Sequence, residues 1–82
     1  MERNQTMTKL RVTYSKNADA AYLYLDPNTR IGRVKKTYAC DPGEVEGMIN
    51  LDFDEVGALV GIEVLDASRK LPAGLLKSAE KI

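Results

Sequence analysis

The sequence predicts an α+β domain with a single antiparallel β-sheet of four to five strands, joined mostly by sequential hairpins, and a short C-terminal helix. Three observations predict it. Apolar and polar residues alternate with period two in five segments between residues 9 and 66. Turn-forming residues separate these segments. From residue 66 onward the spacing of apolar residues changes to that of an amphipathic helix.

The first two segments predict a hairpin. Leu10, Val12 and Tyr14 share one face of the first strand, which begins at residue 9. The turn "SKNAD" follows, where asparagine and aspartate accept hydrogen bonds from their own backbone. In the second strand, "AAYLYLD", Tyr22 and Tyr24 lie on the face opposite the alanine and leucine side chains. The sequence "DPNT" then ends the pattern.

The third segment, "GRVKKTYA", is predicted to be an edge strand. It carries Arg33, Lys35 and Lys36, which together with Arg30 form the one basic cluster of the sequence. Lysine and arginine on an edge strand discourage pairing with other chains. These charges would be spread over both faces of a strand, and this favours a protected edge over a ribbon that reads a nucleic-acid groove.

The fourth and fifth segments, "MINLDFD" and "ALVGIEVLD", predict a second hairpin. Ile49, Leu51 and Phe53 alternate with polar residues, whereas the fifth strand has apolar residues on both faces. Gly61 weakens that strand, and a glycine there indicates that another group approaches the backbone closely. We expect the ring of Tyr22 or Tyr24 to pack against Gly61.

The C-terminal segment predicts a short amphipathic helix. Pro72 suits its first turn, and Gly74 weakens it by about 1 kcal/mol relative to alanine, so we expect it to form only when docked. Its apolar face is the first candidate for contact with a partner, and the residues proposed for this role are Leu71, Leu75, Leu76 and Ile82.

The composition excludes several classes of function. The chain has 82 residues, enough for one domain, and its 12 basic and 12 acidic residues cancel, which argues against nucleic-acid binding. No histidine is present, so the usual general base and the commonest metal ligand are missing. Cys40 is the single cysteine, which indicates a reducing cytoplasm.

The N-terminal residues are polar and predict neither a signal peptide nor a membrane anchor. We expect residues 1–8 to form a flexible tail, with Met1 or Met7 as the native start, and residues 9–82 to form the single domain.

The stretch "DFDEVGALVGIE" resembles a calcium-binding EF-hand loop. Asp52, Asp54, Gly57 and Glu63 occupy its first, third, sixth and twelfth positions. The fifth position is Val56, however, which supplies no side-chain oxygen, and the flanking segments alternate as strands do. We therefore interpret "DEVG" as a hairpin turn, with the glycine in a positive-φ conformation and the preceding aspartate accepting backbone hydrogen bonds.

Four acidic residues form the best candidate for a polar site, namely Asp19, Asp52, Asp54 and Glu63. Carboxylates of Asp52 and Glu63 on adjacent strands would share one face, where a pair can bind a divalent cation or a small ligand, or perform acid–base chemistry. The simpler interpretation is a solvated polar face with two turn-forming aspartates, and we favour it. We assign no catalytic residue, metal ligand or cofactor.

The tyrosines and the cysteine can likewise be interpreted either as functional or as structural residues. Tyr14, Tyr22 and Tyr24 would form an aromatic platform for a ligand ring, but cross-strand packing is the usual role of tyrosines in strands. Cys40 lacks a histidine to activate it and is followed by Asp41, so we interpret it as structural.

Two blocks of the sequence, "YSKNADAAYLYL" and "NLDFDEVGALVGIEVLDAS", resemble a family of small bacterial proteins that carry domain of unknown function 2283. The chain departs from that family at Tyr24 and in the segment "KKTYACDPGEVEG". The resemblance implies a compact antiparallel sheet with a helical C-terminal element and no assigned activity. It also implies partner binding, since relatives are often encoded beside small toxin-like proteins.

The sequence thus favours a protein–protein interaction module, either a homodimer or the partner of a small toxin-like protein. A chain of this size gains stability by burying apolar surface against a partner. The alternative is a metal-binding or small-ligand-binding protein, or a small enzyme, that uses Asp52 and Glu63.

Overall fold

A computed structural model describes residues 10–26, 33–40 and 48–82. It contains six strands and two short helices. In chain order these are β1 (Arg11–Ser15), β2 (Ala20–Tyr24), β3 (Lys36–Cys40), β4 (Ile49–Phe53), β5 (Leu59–Leu65), α1 (Ala67–Lys70), α2 (Ala73–Ser78) and β6 (Glu80–Lys81). The expected tail over residues 1–8 and most of the two loops around residues 27–32 and 41–47 lie outside the described residues.

The strands form one mixed sheet in the order β3-β4-β5-β2-β1-β6. The expectation of four to five strands, all antiparallel, is therefore corrected: the sheet has six strands, and one neighbouring pair is parallel. That pair joins β6 to β1, and the Ile82 N–H donates to the carbonyl of Tyr14. The chain reaches this position because Ala79 is extended (φ −70°, ψ 155°) where α2 ends.

The predicted hairpins β1–β2 and β4–β5 are confirmed, and β3 pairs with β4 in an antiparallel orientation. The sheet closes by pairing β2 with β5, which are distant in sequence. β3 is consequently the terminal strand at one side of the described sheet, as its basic residues predicted.

One C-terminal helix with Pro72 in its first turn was predicted, whereas the structure has two short helices, α1 before that proline and α2 after it. Leu71 is extended (φ −107°, ψ 148°) and ends α1. The cause is Pro72, which disfavours a helical conformation in the residue before it and cannot donate a backbone hydrogen bond. Because α2 ends before Ala79, Ile82 does not lie on a helix.

The two helices pack on the apolar face of the sheet. Ala21, Val64, Ala67 and Leu76 form the buried cluster there. Side chains that pack against this cluster are Tyr14, Leu23, Ile49, Ile62 and Leu71. The cluster is small, and among the described residues no large side chain is fully buried.

The opposite face is polar. The strand registers place Arg11, Tyr24, Gly61, Asp52 and Thr37 in one row across this face. A second row contains Thr13, Tyr22, Glu63, Asn50 and Ala39. Among the described residues, no helix is long and apolar enough to cross a membrane.

Candidate interaction surface

The EF-hand-like stretch forms the predicted hairpin between β4 and β5. Gly57 has φ +86°, and its N–H donates to the carbonyl of Asp54 at 3.0 Å. The side chain of Asp54 accepts the backbone N–H groups of Val56 at 3.0 Å and Ala58 at 2.9 Å. The Asp54 carboxylate therefore organises the turn, and the hairpin interpretation is confirmed.

The four acidic candidates are not brought together as one cluster. Asp52 and Glu63 do share the polar face on adjacent strands, as predicted, but each has its own neutral partners. The Asn50 amide donates to Glu63 Oε1 at 2.9 Å. Asp54 and Asp19 lie in two different turns. The described residues contain no group of three His, Cys, Asp or Glu side chains that could hold a metal ion.

Both carboxylate oxygens of Asp52 accept hydrogen bonds from hydroxyl groups. Tyr22 donates to Oδ2 at 2.6 Å and Thr37 donates to Oδ1 at 2.7 Å. The two donors lie on β2 and β3, so this carboxylate links strands on both sides of the β4–β5 hairpin. Burial, followed by the hydrogen bond to Asp52, raises the pKa of Tyr22 well above its ordinary value of 10.0.

Gly61 provides the space that the Tyr22 hydroxyl needs to reach Asp52. A Cβ atom at position 61 would overlap the hydroxyl end of the Tyr22 ring. The predicted packing of a tyrosine on Gly61 is therefore confirmed. The Tyr22 and Tyr24 rings also contact each other edge to face, with 4.7 Å between centroids. Tyr14 is on the opposite face, so the three tyrosines do not form one platform.

Asp19 joins the β1–β2 turn to the start of α1. The Ser68 hydroxyl donates to its Oδ2 at 2.7 Å, and the Ser68 backbone N–H donates to its Oδ1 at 2.9 Å. The Tyr14 hydroxyl donates to Oδ1 at 2.7 Å. These hydroxyl donors, Ser68 first and Tyr14 second, lower the pKa of Asp19 below its ordinary value of 3.8. Asp19 therefore connects the β1–β2 turn to α1, and no local sequence pattern predicted Ser68 as its partner.

Arg11 anchors the β6 side of the polar face. Its guanidinium lies 4.7 Å from the Tyr24 ring centroid and forms an ion pair with Glu80 at 3.0 Å. Both side chains of the pair are more than half exposed, so its contribution to stability is small. The hydrogen bond from Arg11 lowers the pKa of Glu80.

An apolar area remains exposed on the helix-bearing face, at the β3–β4 side of the sheet. We call it the open strip, and it consists of Tyr38, Leu51 and Phe53. Tyr38 is 63% exposed although it lies opposite Leu51 in the middle of β3. Leu51 and Phe53 are half-buried, and none of the three belongs to the cluster under the helices.

Charged residues border the open strip. A depression of about 510 Å³ beside it is lined by Lys35, Lys36, Tyr38, Phe53, Asp54, Glu55 and Gly57. Arg33 is exposed and lies 3.7 Å from Asp26, whereas Arg30 falls outside the described residues. The basic cluster therefore lies beside an acidic turn of the same chain and does not form a uniform basic patch.

The apolar residues proposed for partner contact are used differently from one another. Leu76 is buried in the chain's own core and Leu71 packs against it. Leu75 is half-buried, and Ile82 is 72% exposed at the C-terminal side of β6. The free thiol of Cys40 is half-buried in β3. The sequence did not single out the open strip, in which Tyr38 is exposed and Leu51 and Phe53 are half-buried.

A family model described as a protein of unknown function (DUF2283) matches residues 11–68, well over half of the chain. This match confirms the resemblance of the two sequence blocks. No curated protein and no solved structure shows a significant match. The chain belongs to the DUF2283 family.

Proposed function

We propose that this member of the DUF2283 family is a protein-interaction module that binds a second copy of itself through the open strip. The observation that carries the proposal is the exposure of Tyr38 beside Leu51 and Phe53. Exposed apolar surface next to a polar rim is typical of protein-binding sites, and tyrosine is enriched in them. The bordering lysine, aspartate and glutamate side chains supply such a rim.

The small size of the core supports the proposal that the chain binds a partner. Among the described residues, α1 and α2 pack over the part of the sheet face around Ala21 and Val64, and the side chains of Tyr38, Leu51 and Phe53 do not belong to that cluster. A chain of 82 residues in whose described part no large side chain is completely buried gains stability by burying more apolar surface between subunits.

The charge of the chain supports a second copy as that partner. Equal numbers of acidic and basic residues give a net charge of zero, so two copies experience no long-range repulsion. A strongly charged partner, such as a nucleic acid, would not be attracted by a net opposite charge on this chain. The single thiol supports a reducing compartment such as the cytoplasm, where Cys40 stays unpaired.

The alternative of a metal-dependent or small-ligand site receives less support from the geometry. Both oxygens of Asp52 already accept hydrogen bonds from hydroxyl groups, and Glu63 accepts one from Asn50. A cation at this face would compete with these donors for the carboxylate oxygens and would have to recruit further ligands.

Sedimentation velocity over a range of protein concentrations tests the proposal. We expect the wild type to form a dimer that Tyr38→Asp weakens by at least tenfold in Kd, because a charge would be buried in the interface. Val56→Asp is the matched control, since Val56 is 82% exposed at the hairpin turn and outside the open strip. A wild type that remains monomeric at all concentrations, or an equal effect of both substitutions, would contradict the proposal.

A further inference from the structure

We infer that the second copy pairs along β3, antiparallel and around a two-fold axis at Tyr38, so that two sheets join into one. This inference rests on the proposed function and names the geometry of the interface. β3 is the terminal strand of the described sheet, and its residues are exposed apart from Cys40, which is half-buried. A terminal strand offers backbone donors and acceptors to a partner strand.

The hydrogen-bonding pattern identifies which backbone groups are available. The Leu65 N–H donates to the carbonyl of Met48, which places the even-numbered residues of β4 in hydrogen-bonded pairs with β5. The odd-numbered residues of β4, including Leu51, therefore bond to β3. Tyr38 lies opposite Leu51 and directs its N–H and C=O groups toward β4. The backbone groups of Thr37 and Ala39 point to the open edge.

Antiparallel pairing centred on Tyr38 uses all five residues of β3. Tyr38 lies opposite the same residue of the second copy, and Thr37 exchanges two backbone hydrogen bonds with Ala39 on each side of the axis. Lys36 then lies opposite Cys40. Because the axis is perpendicular to the sheet, the open strips of both copies meet on the same face, where the two Tyr38 rings contact each other.

The charges of β3 fit this arrangement, although lysines on an edge usually oppose pairing. The two Lys36 residues would be separated by four positions, roughly 14 Å at about 3.4 Å per residue, which exceeds the Debye length of about 8 Å. Antiparallel pairing places each Lys36 opposite Cys40 of the second copy, which is uncharged, so no like charges face each other across the axis.

Cysteine cross-linking of the full chain tests the register. In the proposed pairing residues 38 and 38, and residues 36 and 40, form non-hydrogen-bonded pairs, whose Cα separation of about 4.5 Å suits a disulfide. With copper-phenanthroline as oxidant, we expect covalent dimers from Tyr38→Cys/Cys40→Ala and from Lys36→Cys in the presence of Cys40. The second variant keeps the Tyr38 ring in place.

The matched controls are the wild type, which has Cys40 alone, and Lys36→Cys/Cys40→Ala. Both should cross-link at least tenfold more slowly, since their thiols lie opposite other residue types. A wild-type dimer in sedimentation whose designed variants cross-link no faster than the controls would overturn the edge pairing and leave the proposed function intact. A wild-type monomer in sedimentation, with no cross-linking of any variant, would overturn both.

Discussion

At the scale of single residues, Asp19 shows how one side chain connects distant parts of the chain. It accepts hydrogen bonds from Tyr14 in the preceding strand and from Ser68 in α1. It also adopts a left-handed backbone conformation, φ 52°, that aspartate and asparagine tolerate better than most residues. The aspartate therefore serves both the turn and the docking of the helical segment on the sheet.

We predict that Asp19→Asn lowers Tm by several degrees near neutral pH, because the amide replaces an acceptor oxygen by a donor while it tolerates the same φ. Asp66→Asn is the matched control, since Asp66 has φ 54° but makes no capping hydrogen bond from its side chain. Thermal unfolding followed by circular dichroism measures both. Equal shifts for the two variants would show that the Asp19 contacts contribute nothing.

Wild type and the Asp19→Asn variant also differ in how their stability should depend on pH. The folded-state pKa of Asp19 is lowered, so the stability that this shift contributes is fully present above the unfolded-state pKa of about 3.9. It is lost as the pH falls through the folded-state pKa. The difference in Tm between wild type and Asp19→Asn should therefore shrink below about pH 4. Glu80, whose pKa is also lowered, is present in both proteins, so its contribution to the pH dependence cancels in the difference between their Tm values. A difference that stays constant down to pH 2 would argue against the carboxylate's role.

A second residue-scale prediction concerns Gly61 and Tyr22. Gly61→Ala should destabilise the fold by about 1–3 kcal/mol, because the added Cβ overlaps the Tyr22 ring and displaces its hydroxyl from Asp52. Tyr22→Phe alone should cost about 1.5–3 kcal/mol, since it removes a donor to a charged carboxylate. In the Gly61→Ala protein, Tyr22→Phe should lower the free energy of unfolding by much less. Urea denaturation of the four proteins measures this coupling, and additivity within about 0.5 kcal/mol would refute it.

At the scale of elements, the β4–β5 hairpin and α2 use glycine in different ways. Gly57 has φ +86° in the turn, where an L side chain is strained whatever the space around it. Gly74 lies in α2, where a Cβ would meet no atom within 4 Å and the glycine costs helix stability. The same substitution at these two positions should consequently change stability in opposite directions.

We predict that Gly57→Ala destabilises the protein by about 1–2 kcal/mol and that Gly74→Ala stabilises it by up to about 1 kcal/mol. The free energy of unfolding from urea titrations measures both. A neutral Gly57→Ala variant would contradict the turn geometry, and a destabilising Gly74→Ala variant would contradict the open surroundings of that position.

The hairpin also carries a prediction for metal ions. Millimolar Ca²⁺ or Mg²⁺ should leave Tm unchanged, because the Asp54 carboxylate is already bonded to the backbone of its own turn. Differential scanning calorimetry with and without the ions checks this. An increase of several degrees that Asp52→Asn abolishes would restore the alternative of a carboxylate-based cation site.

At the scale of the whole molecule, the sequence predicted the features that depend on local patterns. Period-two alternation located β1 to β5, and the position of Gly61 among strand residues correctly indicated a tyrosine packed on the backbone. β6 was missed because two residues, Glu80 and Lys81, carry no periodic signal. The helix predicted with Pro72 in its first turn corresponds to α2, whereas α1, a four-residue helix before the proline, was not predicted as a separate element.

The remaining features depend on contacts between residues distant in sequence. The pairing of β2 with β5, the bonds from Ser68 to Asp19 and the open strip all follow from how the sheet closes, which no local pattern specifies. The open strip arises because two short helices after β5 cover only one part of the apolar face.

Native mass spectrometry of the protein, purified gently from its own cells, shows whether the open strip joins two copies of the chain. We expect a species of twice the chain mass of 9.1 kDa, and its loss in the Tyr38→Asp variant. A species of 9.1 kDa alone, or one that contains a different polypeptide in fixed ratio, would be incompatible with a homodimer formed through the open strip.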